Sequence, residues 1–403
     1  MDKLSISIKK NIPNGVQDYA PLECKNKRSV EESLRKNFEL WGYNEVQTPA
    51  FEYYDVFAHG IGSYRQEKLI KFIDSDGRIL ALRPDLTLPI ARLVTSTHKD
   101  LTFPLRFFYI DDAFGFDNPS ARDQRQFTQA GIELIGESSP YADAEVIAMA
   151  IESLQVAGLT HFTIDIGQVD YFKGLIEEAN LTDKQGEQLR KGIDTKNMID
   201  VENILSDSKI KGELKEKILE LPFLYGGEEV LEKAKEFATN ERSRRAVENV
   251  GKIYEALCSY GYERYLSIDF SMLQEIEYYT GMIFKGYVME LGSPLLGGGR
   301  YDSLLAEFGY SSPSTGFALS MKSILIALEK QSGFKENINI DVVVGHDEIS
   351  SKEAFKFMQK HRSEGKRAAS AMGTSCEEIL VYAKKIGAKE VYYIKNNQIE
   401  AIK

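Results

Sequence analysis

The 403-residue chain is poor in the residues that most often carry inorganic chemistry. Its three cysteines, Cys24, Cys258 and Cys376, show no C-x-x-C spacing, which excludes a disulfide framework and the common zinc patterns. The histidines, at 59, 98, 161, 346 and 361, form no H-E-x-x-H pair, so no catalytic zinc is expected and no metal is assigned. Long apolar runs are missing too: nowhere do about eighteen apolar residues stand together, and the opening MDKLSISIKKNIPNG has no continuous apolar segment. A cytoplasmic protein without a membrane span is the expectation. Positive charge is short, with 50 Lys and Arg against 61 Asp and Glu, which argues against a nucleic-acid surface because phosphate contacts need clustered cations. Neither G-x-x-x-x-G-K-[ST] nor a G-x-G-x-x-G after a strand occurs, so no nucleotide cofactor is expected. The aspartates of IDIGQVDY and the serines of SPSTG have no histidine at a recognisable spacing, which leaves a hydrolytic triad without support.

What is present reads as two domains. Hydrophobic residues at 43% and charged residues at 28% are ordinary for a globular protein of this length. After a lead-in loop at 12–23, Val30, Leu34, Phe38 and Trp41 fall at helical spacing, and Gly42 stops the helix. The stretch LIKFI-DSDG-ILALR reads as a hairpin, and PIARLV opens a helix. LRFFYIDDAFGF and QRQFTQAGIELIG form a second strand pair around a polar loop at 115–123. Residues 140–158, with proline near the start and glycine past the end, predict a helix. From about 170 to 260 the composition turns Lys- and Glu-rich and helical, an insertion in a core spanning 1–330. Strands return at YLSIDFSM and TGMIFKGYVMEL, GGGRYD leads into a helix over SLLAEFGY, and GFALSMKSILIALEK closes with another. Residues 331–403 alternate strand and helix, which predicts a small α/β domain; its 12 Lys and Arg against 10 Asp and Glu are too few for a nucleic-acid footprint.

Polar side chains gather at the ends of the expected antiparallel strands: Arg83, Asp85 and Thr87, then Arg125, Gln129 and Glu133, then Tyr278, Tyr279 and Tyr301. Residues four apart on a strand share a face, so Arg125, Gln129 and Glu133 can project to one side of a sheet. Acid, amide and phenol groups on one concave face suit a small cationic or amphoteric ligand; solvated strand ends beside a few core aromatics are the plainer alternative. The glycines of GGGRYD permit either close approach of a ligand or a bulge.

Taken in order, these stretches resemble the class II histidyl-tRNA synthetase family over nearly the whole chain. GVQDYAP with WGYNEVQTPAFE is similar to its first motif, LRPDLTLPIAR to its substrate-binding strand and RQFTQAGIELIG to the end of its second motif. EYYTG is similar to its histidine-specific segment, and GGGRYD with GFALSMKSIL to its third motif. The resemblance implies an α+β fold: an antiparallel sheet flanked by helices, usually dimeric, with a small C-terminal α/β domain like an anticodon-binding domain. It also implies a histidine pocket. Asp85 stands where a glutamate usually holds the amino group, with Thr87 beside it. Gln129 and Glu133 match the pocket's amide and acid, and Tyr278, Tyr279 and Tyr301 match its aromatic wall.

The family's three phosphate-handling arginines fall, on the same alignment, at Gly115, Gln274 and Ser323. Each such contact is worth about 1.5–3 kcal/mol, and a donor aimed at developing charge about 10²–10³ in rate. A chain that keeps the amino-acid pocket and lacks these clamps is similar to the regulatory subunits of ATP phosphoribosyltransferase. Those subunits are non-catalytic, pair with a short catalytic subunit in the first step of histidine biosynthesis, commonly as a hetero-octamer, and are implicated in allosteric feedback by histidine. Some of them keep an arginine near position 115, and this chain does not. A divergent histidyl-tRNA synthetase is the alternative.

Overall fold

The computed structural model describes residues 11–58, 68–97, 102–115, 124–208, 210, 212–273, 279–333, 340–371 and 375–402. The first helix, α1 (Pro21–Leu40), buries Val30, Leu34 and Phe38 along one stripe. It starts inside the expected loop because the fixed φ of Pro21 suits a first helical turn. Gly42, at φ +79°, turns the chain away into β1 (Asn44–Glu45) and β2 (Phe51–Tyr53). β3 (Lys71–Ile73) and β4 (Ile79–Leu82) make the expected hairpin, whose turn is closed by Asp74 Oδ1 accepting the Asp76 and Arg78 N–H groups at 2.9 and 2.8 Å. α2 (Thr87–Thr97) follows. β5 (Leu105–Phe114) and β6 (Gln126–Ile135) pair antiparallel along their whole lengths. α3 (Pro140–Ala157) is capped as its sequence predicts: Ser139 accepts the Ala142 N–H, and Gly158 ends the helix in the left-handed region. β7 (Thr163–Gln168) is next.

The Lys- and Glu-rich segment folds as α4 (Val169–Glu178), α5 (Asp183–Asp194), α6 (Met198–Asp207), α7 (Glu213–Glu220), α8 (Glu229–Phe237) and α9 (Glu241–Ser259). It is not wholly helical. Between α7 and α8 the strand β8 (Tyr225–Gly226) pairs with β9 (Leu266–Asp269) and extends the edge of the main sheet. β10 (Met282–Tyr287), β11 (Leu296–Arg300), β12 (Ser314–Ser320) and α10 (Met321–Gln331) complete this part. The helix expected over SLLAEFGY is reduced to a short 3-10 turn, Leu305–Phe308. Gly309, at φ +84°, turns the chain back toward β12.

β2, β4 and β3 form a small antiparallel sheet in that order, and the other strands form one sheet in the order β1-β5-β6-β12-β11-β10-β7-β9-β8, antiparallel except at the β1–β5 and β7–β9 pairs. Its two faces differ. Phe284 of β10 and Phe317 of β12 meet each other, and Phe317 meets Phe38 of α1, on the helix-covered face. Glu133 of β6 points to the other.

The chain divides into two compact units, the larger mainly Lys27–Gly333 and the smaller mainly Phe334–Lys403. In the smaller, β13 (Val342–His346), α11 (Ser351–Ser363), β14 (Ala368–Ser370), α12 (Cys376–Lys385), β15 (Glu390–Lys395) and β16 (Gln398–Ala401) give a sheet ordered β14-β13-β15-β16, parallel except for its last strand. Val343 and Val391 pack with Ile379 and Ala383 of α12, while Val342, Val344 and Ile394 pack with Ala354 and Met358 of α11. Alternate strand residues thus cover opposite faces, as a two-sided α/β layer requires.

Candidate functional site

The pleat of β6 sets the site. Gln129 and Glu133 lie on one face, separated by about 13 Å of strand. Glu133 is 2% exposed, and its cross-strand neighbour on β12 is Gly316, whose neighbour on β11 is Gly299. A Cβ on Gly316 would collide with Glu133 Oε2, and one on Gly299 would lie 2.8 Å from the Tyr279 ring. The glycine row therefore lets an acid and a phenol lie down against the backbone of the sheet. The close approach read from GGGRYD is real, but here the visitors are this chain's own side chains.

Both oxygens of the Glu133 carboxyl are held by hydroxyls. Thr87 Oγ1, in the first turn of α2, donates to Oε1 at 2.9 Å, and Tyr301, just past β11, donates a short hydrogen bond to Oε2. Asp85 is 8% exposed and uses Oδ1 to accept the Leu88 N–H at 3.2 Å, which caps α2 and fixes the approach of Thr87. Burial pushes the Glu133 carboxyl up to about 8, against the downward pull of the Tyr301 and Thr87 hydrogen bonds and with the help of the Asp85 charge. Burial, reinforced by Glu133, also raises the Tyr301 and Tyr109 phenols well above their ordinary value, so both stay neutral.

Five of the residues singled out from the sequence thus meet: Asp85, Thr87, Glu133, Tyr279 and Tyr301. Gln129 shares the face farther along β6, and its Oε1 is buried without a hydrogen-bond partner among the described residues. Tyr278 and Gln274 lie outside the described residues. Arg125 is exposed just ahead of β6 and not on the strand that carries Gln129 and Glu133. Arg83 is a structural tie: it is 2% exposed, pairs with Asp111 at 2.6 Å and donates to the Thr48 and Asp112 carbonyls. The sequence reading passed over Tyr109. It sits opposite Gly131 on β5, is fully buried, and hydrogen-bonds with Thr87. In the run FFY it looks like core, and only the glycine facing it in TQAGIE hints otherwise.

Of the three positions that the resemblance aligns with family arginines, Gly115 and Ser323 lie among the described residues. At Gly115 a Cβ would meet only the Lys68 carbonyl oxygen, at 3.8 Å, and the Gly115 N–H donates to the Arg125 carbonyl at 3.1 Å. Ser323 is buried in α10, its Oγ 3.1 Å from the Oγ of the capping Ser320. Neither residue supplies positive charge. Arg300 of GGGRYD points away from the acid pocket and pairs with Asp143 of α3 at 2.8 Å, also donating to the Glu137 carbonyl at 3.0 Å. A separate cleft of about 670 Å³ is lined by Arg242, Arg300, Gln168 and Asn249; Arg242 is paired with Asp170 as Arg300 is with Asp143. Among the described residues no group of His, Cys, Asp and Glu is arranged to hold a metal, and no helix is long and apolar enough to cross a membrane.

A mostly antiparallel sheet with a buried acid-and-hydroxyl cluster between it and α2 defines a class II synthetase-like chain, and residues 15–324 match the family described as histidyl-tRNA synthetase. A histidyl-tRNA synthetase from Nostoc shares the fold, with a TM-score of 0.81 at 22% identity over 96% of this chain and 92% of that one. A Bacillus halodurans structure described as an ATP phosphoribosyltransferase regulatory subunit/histidyl-tRNA synthetase superposes with a TM-score of 0.85, at 31% identity over 96% and 99% of the two chains. The ATP phosphoribosyltransferase regulatory subunit of Acetivibrio thermocellus is 43% identical over 88% of this chain and 84% of its own. The chain belongs to the family of ATP phosphoribosyltransferase regulatory subunits.

Proposed function

We propose that this chain is a non-catalytic regulatory subunit that binds histidine in the Glu133 pocket. There it biases assembly with, and the activity of, a short ATP phosphoribosyltransferase catalytic subunit in the first step of histidine biosynthesis. The observation that carries the reading is the buried cluster itself: a carboxyl oriented by Thr87 and Tyr301, with Asp85 close by; Gly115 and Ser323, which the family resemblance aligns with phosphate-binding arginines, supply no positive charge. Carboxyl, hydroxyl and amide groups match the ammonium and imidazole of histidine. In this reading Asp85 takes the ammonium, Glu133 the ring, Gln129 the remaining polar edge, and Tyr278, Tyr279 and Tyr301 form the wall. The relatives' name supports the partner, and a dimer within a hetero-octamer is the assembly proposed with it.

The mechanism is linkage. Histidine shifts the complex only by the difference between its affinities for the assembly states, so a pocket that changes shape on docking suffices. Co-purification with the short catalytic subunit, with and without histidine, tests this. Association together with a histidine-dependent change in phosphoribosyltransferase activity is expected. Lack of both, or histidine-dependent ATP–pyrophosphate exchange by the chain alone, overturns it in favour of a synthetase.

A further inference from the structure

The Glu133 carboxyl differs from three other buried acids of the larger unit. Glu31 has Lys27 and Arg28, Glu52 has Arg92, and Asp143 has Arg300. Glu133 contacts no basic side chain among the described residues; its partners are the hydroxyls of Thr87 and Tyr301. The titratable groups facing it are Asp85 ahead of α2, Tyr109 on β5 and Tyr301 beyond β11, while Tyr43, whose hydroxyl donates to Glu145 of α3 at 3.0 Å, feels its charge from the other side of the sheet. Tyr279, ahead of β10, faces the phenols of Tyr109 and Tyr301. These neighbours are phenols and one acid, so none of them stabilises an ionised Glu133 by charge. A carboxyl in such a place holds a proton until a base that can share it arrives. Each of its oxygens accepts one hydroxyl and keeps a second lone pair for a ligand.

We propose that Glu133 and the imidazole of bound histidine hold a single proton between them. Histidine would enter as the neutral ring, meet a protonated carboxyl, and be retained as a pair in which that proton passes from a Glu133 oxygen to the unprotonated ring nitrogen. The pair carries one proton in either arrangement, and no other group changes charge. This rests on the histidine-pocket reading above. It explains why the acid is surrounded by hydroxyls: they orient either form of the carboxyl, whereas a resident cation would compete with the ring.

The consequence is a proton count that changes sign with pH. A free imidazole titrates near about 6.5, and burial holds the Glu133 carboxyl near about 8. Below the first value, ring and carboxyl each carry a proton before binding and one is released. Between the two, binding is proton-neutral. Above the second, both are empty and one proton is taken up. Affinity is therefore greatest between the two values and falls by up to about tenfold per pH unit on either side.

The test is titration calorimetry of histidine into the full chain at pH 5.5, 7.25 and 8.5, in buffers of different ionisation heat. Release, no exchange and uptake are expected in turn. Glu133→Gln should abolish the part of the alkaline uptake that the ligand's amino group does not cause. With the wild-type protein, an analogue carrying the less basic 1,2,4-triazole ring should bind at least about tenfold more weakly than histidine at pH 7.25. Histidine binding that shows no proton uptake at pH 8.5 beyond that of Glu133→Gln, or that does not prefer imidazole over triazole, overturns the shared proton and leaves the pocket standing. Absence of histidine binding at every pH overturns the pocket reading and this inference together.

Discussion

Asp143 and Glu133 are both carboxyl groups buried against the central sheet, on opposite faces, and their surroundings differ. Asp143, on the helix-covered face, is gripped by Arg300 at 2.8 Å across 157 residues of sequence, so its charge is matched within the fold. Glu133, on the face covered by α2, is held by two hydroxyls and pushed up to about 8 by burial. A matched pair locks an architecture, whereas an acid supplied with hydrogen bonds but no counter-charge keeps its electrostatic demand for a visitor. The same sequence stretch serves both ends: in GGGRYD, Gly299 clears room for Tyr279, Arg300 locks the helix side and Tyr301 reaches Glu133.

The contrast breaks most visibly at the locked end. Arg300→Ala leaves Asp143 buried and unpaired, which should cost about 3–5 kcal/mol, read as a lowered urea midpoint. Glu133→Gln should do the reverse of that pattern, with little loss of stability and about 10- to 100-fold weaker histidine binding, the scale of one hydrogen bond to a charged group. Its pH dependence sharpens the point. The folded-state carboxyl lies above its unfolded value, so its contribution to stability is full below the ordinary carboxyl range and is lost as pH rises to about 8. Urea midpoints of ligand-free wild type should fall across that window more steeply than those of Glu133→Gln.

Much of this was legible in advance. Ser139, Pro140 and Gly158 mark the ends of α3, and LIKFI-DSDG-ILALR marks its hairpin, because caps and turns are written in adjacent residues. Asp85, Thr87, Glu133, Tyr279 and Tyr301 could be named before their contacts were seen. Tyr109 could not, since a tyrosine in an apolar strand reads as core until Gly131 is seen opposite it. The Arg300–Asp143 pair has no local signature at all, and the pairing of Tyr225–Gly226 with β9 depends on a neighbour some forty residues away. The shortened turn at Leu305–Phe308 reflects the demand that the chain re-enter the sheet at Ser314, which outweighs helical spacing in SLLAEFGY.

Smaller effects separate the two ends of the Glu133 face. Thr87→Val removes one hydroxyl from Glu133 and should weaken histidine binding about fivefold, by roughly 1 kcal/mol, measurable by calorimetry. Gly115→Arg places a guanidinium where a side chain has room, and should leave histidine affinity unchanged within error; a change there would mean that the amino-acid pocket extends to that strand end.

The most direct measurement is histidine inhibition of phosphoribosyltransferase activity in the complex reconstituted with the short catalytic subunit, wild type against Glu133→Gln. The account predicts that both chains assemble and activate, and that only wild type responds to histidine at concentrations near its affinity. An equal histidine response from both chains would contradict it.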